Sequence, residues 1–560
     1  MRHWLRVSLH LCISLTYVLC TEASNEHFHE KLSLRSLRDG KVASTFTFTT
    51  VLNGVEPRHP ETLGSKDASQ HYNVFPLALG QVLREYGVTE LHLSMNAGKW
   101  NYEQWGYPDE LSAGTGAELW VWMGEGGPLS IEQRWDGLRN ALSGLFCASL
   151  ATMDEQRTTS PSMTFIPEGA LPIWNRPHLL RHASLPSEHV CTENLTPFLK
   201  LLPCKSFSGI ASLLNPHRLF DSDWHGMGIH VLWHPDKGVE IRLAFQSVSD
   251  PLRVSRSKRR GMCLSLKPTQ SSSTKSPQDW SFRSLFNRQI DRQCPVARTS
   301  TIEVALPVNE AYSLEPSPST VELNVARFYM TNESVPLDIN FRWPAEFTYP
   351  VNPPSQSLVP LSVQRTLRGS SQAHGQVSVH LRNHLDESVQ AMYLETMPWL
   401  VLFYLHTLQI KLDDAPRDDL ISNISYIPSI LHSRPTTLQA LITVPPKATI
   451  RLTMDVTKAF LRYTEHPPDA QRGWDLPPAV IVPLVNGTLR GPAQPSLGSR
   501  IYTPILLVDL ATPDFSMPYN VIIFTCTVLA FLFGTIFNLL TRKFVIVRLT
   551  LNPGCTVHDL

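Results

Sequence analysis

The sequence predicts an α+β protein of the secretory path: a lumenal mixed α/β N-terminal domain, then a β-sandwich-like domain, then one C-terminal transmembrane helix. Three observations carry this reading. Apolar and polar residues alternate over many short runs, while few stretches show the 3.6-residue recurrence of a helix. The 44 prolines in a chain that is 42% apolar favour short strands and turns over long helices. A basic-then-apolar leader and a late uncharged run bracket everything between them.

The leader comes first. Arg2 and Arg6 precede an almost wholly apolar stretch over 7–19 (VSLHLCISLTYVL), and small residues follow at Cys20, Thr21, Ala23 and Ser24. This is the layout of a secretory signal, assigned to residues 1–23, with cleavage after Cys20 or Ala23.

Residues 24–300 are assigned to the mixed domain. Thr45 to Val51 (TFTFTTV) alternates as a half-buried strand, with Phe46 and Phe48 inward and Val51 a third candidate. Phe75 to Tyr86 reads as a helix, with Pro76 in its first turn and Gly87 beyond its end. "ELHLSM" and "AELWVWM" read as the next strands. Ser130 to Leu150 is the clearest helix: Ser130 and Gln133 form a capping-box pattern, and Ile131, Trp135, Leu138, Leu142 and Leu145 make one apolar face. Within it, Cys147 reads as a core or disulfide cysteine. "IHVLWHPDKGVEIRLAFQSV" is a hairpin turning at Asp236-Lys237-Gly238, with Val239, Ile241, Leu243 and Phe245 alternating on its second strand. Residues 253–277 are basic and serine-rich, with almost nothing to bury, and read as an exposed insertion.

Residues 301–519 turn to strands: "TIEVALPV", "STVELNVARFYM", "LDINFRW", "GQVSVHLRN", "LQALITV" and "ATIRLTMDV", separated by Pro, Gly, Asn or Ser clusters. Such spacing predicts a β-sandwich. Val521 to Leu540 then runs twenty residues without a charge, enough to cross a bilayer, and 520–541 is assigned to the span. Arg542, Lys543 and Arg548 follow, which places the tail, 542–560, in the cytosol and the bulk of the chain in the lumen, as a single-pass type I membrane protein. In that compartment Asn332, Asn423 and Asn486 head plausible N-glycosylation sequons. Asn194 heads a doubtful one, because Pro197 directly follows its threonine.

Charge and motifs exclude several functions. Lys and Arg number 49 and so do Asp and Glu, which removes any electrostatic case for nucleic acid. The chain has no Gly-x-Ser-x-Gly elbow, P-loop, Rossmann fingerprint or His-Glu-x-x-His, so no catalytic residue is assigned and no cofactor is expected. His225, His230 and His234 are the one metal candidate, but without a nearby cysteine or defined carboxylate they read as core or surface histidines and no metal site is assigned. A type I receptor or adhesion ectodomain would show the same signal, strands and sequons, and stands as the alternative reading.

Several long strings are more specific. "FPLALGQVLREYGVTELHLS", "GAELWVWM", "LSGLFCASL", "VCTENLTPFLKLLPC", "DWSFRSLF", "YTEHPPDA" and "TPDFSMPYNVIIFTCTV" running into "FNLLTRKF" occur in order along the whole chain. By these the chain resembles the PIG-T family, non-catalytic subunits of the GPI transamidase complex of the endoplasmic reticulum. The insertion at 253–277 is where it looks least like that family. The resemblance implies a membrane-bound subunit of that compartment. It would brace a separate caspase-like cysteine-protease subunit and, with the other subunits, help form the sites for the GPI lipid and the proprotein C-terminal signal.

The cysteines can then be sorted. Of nine, Cys12 and Cys20 belong to or border the signal, Cys526 lies in the span and Cys555 in the tail. Five remain in the lumen: Cys147, Cys191, Cys204, Cys263 and Cys294. An odd count leaves one thiol free or bridged to another chain. The resemblance implies that Cys191 joins the protease subunit, with a local Cys191–Cys204 loop as the competing reading. The other four allow three pairings, of which Cys204 with Cys294 is the one chosen. In the span, Thr527, Phe531, Gly534 and Asn538 share one helical face. Thr527, Gly534 and Asn538 there suit contact with other helices or with lipid, and Asn538 could help hold the GPI headgroup.

Overall fold

The computed structural model describes residues 25–67, 70–251, 278–307, 312–331, 335–343, 358–369, 371–466, 472–484, 499–512 and 516–543. The signal at 1–23, the insertion at 253–277 and nearly all of the tail at 542–560 therefore lie outside the described residues. The described residues fall in two units. One runs to Phe460 and resumes over Arg472–Leu510; the other holds the stretch from Leu461 to Gln471 and everything from Ala511. The protein is α+β with sheets predominating.

An eleven-stranded sheet dominates the first unit. It is built from β1 (Glu26–Ser36), β2 (Val42–Leu52), β3 (Val88–Ala97), β4 (Gly116–Gly124), β5 (Thr158–Thr159), β6 (His178–Leu185), β7 (Trp224–His234) and β8 (Gly238–Ser249). β10 (Thr299–Ala305), β12 (Thr320–Glu322) and β13 (Val325–Tyr329) complete it, in the order β12-β13-β10-β1-β2-β8-β7-β3-β4-β6-β5. Beside it β9 (Gln278–Ser281), β11 (Ser313–Glu315) and β14 (Asn340–Trp343) form a small three-stranded sheet.

This topology moves a boundary. The strands expected to open the sandwich, from Thr299 to Trp343, instead extend the N-terminal sheet and its core. β10 pairs parallel to β1 with Thr299 opposite His29. Alternation identifies a strand but not its sheet, and this partner is 270 residues away. "STVELNVARFYM" is also two strands, not one. Leu323 and Asn324, both at positive φ, turn it back as a tight hairpin.

Alternation in β4 decides how the large sheet is covered. Leu119, Val121 and Met123 pack on one side with helices α1 (Leu77–Glu85), α2 (Ile131–Phe146) and α3 (Thr192–Leu201). Trp120 and Trp122 point to the other side and pack with Met392, Leu394, Val480, Val482 and Tyr502 of the sandwich. Both faces are thus buried, and every residue of β4 is buried. In β2, Phe46 and Phe48 are inward but Val51 is not. It has the opposite parity and is half-exposed. α1 begins at Leu77 with Pro76 as its cap, and α2 carries the Ser130–Gln133 capping box. α2 stops at Phe146, four residues before the expected end.

The sandwich has two sheets. One orders β15 (Leu361–Arg368), β16 (His374–Asn383), β23 (Thr449–Lys458), β19 (Gln409–Leu412) and β20 (Ala415–Pro416), with β18 (Val401–Phe403) pairing β23. The other orders β21 (Ile421–Ile427), β22 (Thr436–Val444), β17 (Val389–Met397), β25 (Val480–Leu484) and β26 (Ile501–Tyr502). β24 (Trp474–Leu476) pairs with β27 (Leu506–Val508) separately. Arg365 of the first sheet and Glu395 of the second meet at 2.5 Å with both side chains fully buried, and Tyr393 donates to the same carboxylate at 2.7 Å. A pair so placed fixes how the sheets face each other, since losing either partner strands a charge in the core.

In the second unit, α4 (Ser516–Thr541) contains a stretch, Tyr519–Thr541, of 23 residues with mean hydropathy 2.2, long and apolar enough to cross a membrane.

Candidate functional site

The end of α2 and the start of α3 meet at one buried side chain. The apolar face of α2 (Ile131, Trp135, Leu138, Leu142, Phe146) seats it on the large sheet. The helix ends at Cys147, a non-glycine residue in the left-handed region at φ 52, and Ala148 N–H closes the end by donating to Ser143 O at 3.2 Å. α3 begins after Cys191. The fully buried Asn194 accepts from Cys191 N–H at 2.7 Å and donates to Phe146 O at 2.8 Å and Cys147 O at 3.2 Å. Both amide hydrogens and the carbonyl oxygen are engaged within the protein, so the folded chain leaves Asn194 no place for a glycan. The reason is burial, not the proline that made its sequon doubtful.

This arrangement presents two cysteines at the surface. Cys191 caps α3 and is exposed and unpaired. Cys147 is also exposed and unpaired, which corrects its assignment as a core or disulfide cysteine. The left-handed turn at the end of α2 carries it out of the apolar face. Cys204, just past α3, is bonded to Cys294, 90 residues on, with Cα atoms 5.9 Å apart. A Cys191–Cys204 loop is therefore not formed. Cys263 lies outside the described residues.

Glu30 lies beside this bridge. Its buried carboxylate accepts from Ser300 Oγ at 2.6 Å and Ile210 N–H at 3.1 Å, and burial pushes its pKa up to about 7 against those donors.

The histidines do not converge. His230 is buried against Glu110 at 3.1 Å, His234 faces Glu240 at 3.9 Å, and His225 reaches Ser222 Oγ at 3.3 Å. Among the described residues no three His, Cys, Asp or Glu side chains gather to hold a metal ion. Of the sequon residues, Asn423 is exposed on a bulged stretch of β21 at φ 48, while Asn332 and Asn486 lie outside the described residues. In α4 the Thr527 hydroxyl donates to Ile523 O of its own helix at 2.7 Å. A β-carbon at Gly534 would meet nothing within 4 Å, and Asn538 is exposed about one turn from the helix end.

Comparison with known proteins covers nearly the whole chain. The profile of the Gpi16 family, described as "Gpi16 subunit, GPI transamidase component", matches residues 11–552. The "GPI-anchor transamidase component PIGT" of Mus musculus is 34% identical over 563 residues, covering 94% of this chain and 91% of that protein. Its Homo sapiens counterpart is 34% identical over 561 residues, covering 93% and 91%. The "GPI transamidase component GPI16" of Saccharomyces cerevisiae is 30% identical over 576 residues, covering 94% and 91%.

Proposed function

Because this chain belongs to the Gpi16 family of GPI transamidase components, we propose that it serves GPI-anchor attachment as a bracing subunit, not as the catalyst. In this reading it sits in the endoplasmic reticulum membrane as a single-pass type I protein with its bulk in the lumen. Cys191 bridges it to the caspase-like cysteine-protease subunit, which carries out cleavage and transfer. The remaining surfaces, with other subunits, help form sites for the GPI lipid and the proprotein signal. Asn332, Asn423 and Asn486 would carry glycans. The receptor or adhesion alternative has no such family behind it.

The observation that carries the tether is the exposed, unpaired Cys191 on a rigid helix cap, with its neighbour Cys204 already committed to Cys294. A non-reducing gel of the assembled complex tests it. Cys191→Ser should lose the high-mass adduct with the protease subunit, while Cys204→Ser and Cys147→Ser keep it. Loss of the adduct from either control and not from Cys191→Ser reassigns the bridge. A disulfide adds only a few kcal/mol to partners already packed together. Anchoring activity in Cys191→Ser should therefore fall without vanishing.

A further inference from the structure

The Cys204–Cys294 bridge joins a residue at the surface to one in the core. Cys204 is half-buried and opens a turn in which Phe207 N–H donates to Cys204 O at 3.2 Å. Lys205, at φ 51, and Phe207, 80% exposed, stand in the same turn. Cys294 belongs to the apolar core of the large sheet, 1% exposed. Behind it lies Glu30, also buried. The point where Gly209 lacks a β-carbon is 2.5 Å from Glu30 Oε2, 2.6 Å from Oε1 and 2.8 Å from Cys294 Cβ. Carboxyl and cysteine therefore face each other across that one glycine, whose N–H is fixed by Arg292 O at 2.7 Å.

This placement matters for how the bridge opens. A thiolate attacking a disulfide leaves the bond's electron pair on the departing sulfur. Cys204 is the half of the bridge with exposed surface, with Lys205 to attract the incoming charge and Phe207 to offer an apolar contact. The departing sulfur is then that of Cys294, and a bare thiolate among apolar side chains is costly. We propose that Cys204–Cys294 is an exchangeable disulfide, opened by a dithiol reductant that attacks Cys204, with Glu30 protonating the Cys294 sulfur as it leaves. The reductant's sulfur bonds to Cys204 Sγ, the Cys204–Cys294 bond breaks, and the Glu30 proton moves to Cys294, leaving a carboxylate. The reductant's second thiol then displaces Cys204, which takes its proton from water, and the reductant departs as a disulfide. Opening frees the end of α3 from the approach to β10, while Asn194 still holds its start.

Glu30 has a proton to give near neutral pH, because burial lifts its pKa to about 7 against Ser300 and the Ile210 N–H. No charged side chain acts on it: Phe48 lies opposite on β2 and Ser300 on β10. Exchange per attacking thiolate is therefore fastest below about pH 7 and slows as pH rises through that value. A purely structural Glu30 gives the opposite slope. A raised carboxyl loses its contribution to stability as pH rises, so the core loosens and the bridge opens faster.

The test uses the full chain in detergent, with Cys147 and Cys191 blocked by N-ethylmaleimide and dithiothreitol as reductant. Opening is read by mass spectrometry as alkylation of Cys204 and Cys294. The second-order rate constant, corrected for the thiolate fraction of dithiothreitol, should fall at least about tenfold from about pH 6 to about pH 9. In Glu30→Gln, whose amide has no proton to transfer, it should stay level over that range. A parent constant that is level or rises with pH would overturn the proposal, and so would a parent-like fall in the variant. A further readout needs no variant. With glutathione as attacking thiol and alkylation as quench, the mixed disulfide should sit on Cys204 and the alkyl group on Cys294; the reverse placement would equally overturn it.

Discussion

Glu30 on β1 sits under Gly209, at φ +70, where a β-carbon would come within 2.5 Å of the Glu30 carboxylate and 2.8 Å of Cys294 Cβ. Only glycine fits there, and that close approach brings the Ile210 N–H onto the acid and the disulfide against it. Burial lifts the Glu30 pKa from 4.5 to about 7, so the folded chain holds a proton here that the unfolded chain has released. Its contribution is whole below about pH 4.5 and lost as pH rises through about 7. Glu30→Gln, fixed in the neutral form, should therefore flatten the stability profile across that window, a difference of ~3 kcal/mol between its ends. Chemical unfolding at several pH values measures it, and a parent-like slope in the variant would dismiss Glu30 as the source.

Asn194 does for two helices what a metal or a bridge does elsewhere, binding the end of α2 to the start of α3 through one amide. Asn194→Ala removes a cap and leaves Phe146 O without a side-chain donor, which should cost about 2–3 kcal/mol in unfolding. It should also thin the Cys191 adduct on a non-reducing gel, because the cap holding that thiol frays. A variant as stable as the parent with an undiminished adduct would show that the amide is incidental. The start of α2 was legible because a capping box is local, with both partners three residues apart. Its end was not, because Cys147 adopts a conformation usually marked by glycine. Alternation in β3, β4 and β7 does not by itself say which face of the sheet meets solvent. His92, Glu118 and His230 share a parity that faces the sandwich, a surface that exists only once the second layer has folded.

At the scale of the molecule, what could be read was what is local or compositional: many short strands, few helices and one apolar span. The sheet membership of 299–343 could not be read, because pairing between β1 and β10 is a contact across most of the N-terminal half. The span raises the remaining question of whether it is more than a tether. Four residues share one face in sequence, but the structure sorts them. The Thr527 hydroxyl is spent on its own helix, and Phe531 is apolar, which leaves the bare backbone at Gly534 and the exposed amide of Asn538. A bare glycine admits a close neighbour, and an amide at membrane depth gains ~1 kcal/mol from a partner. If Asn538 engages another helix or the GPI headgroup, Asn538→Leu should lower GPI attachment about fivefold, the equivalent of that bond, with chain abundance and membrane insertion unchanged. A polyleucine replacement of 521–540 should lower it at least as far, because it also fills the gap at Gly534. Full attachment activity with the polyleucine span would reduce α4 to an anchor and leave the work of assembly to the other unit.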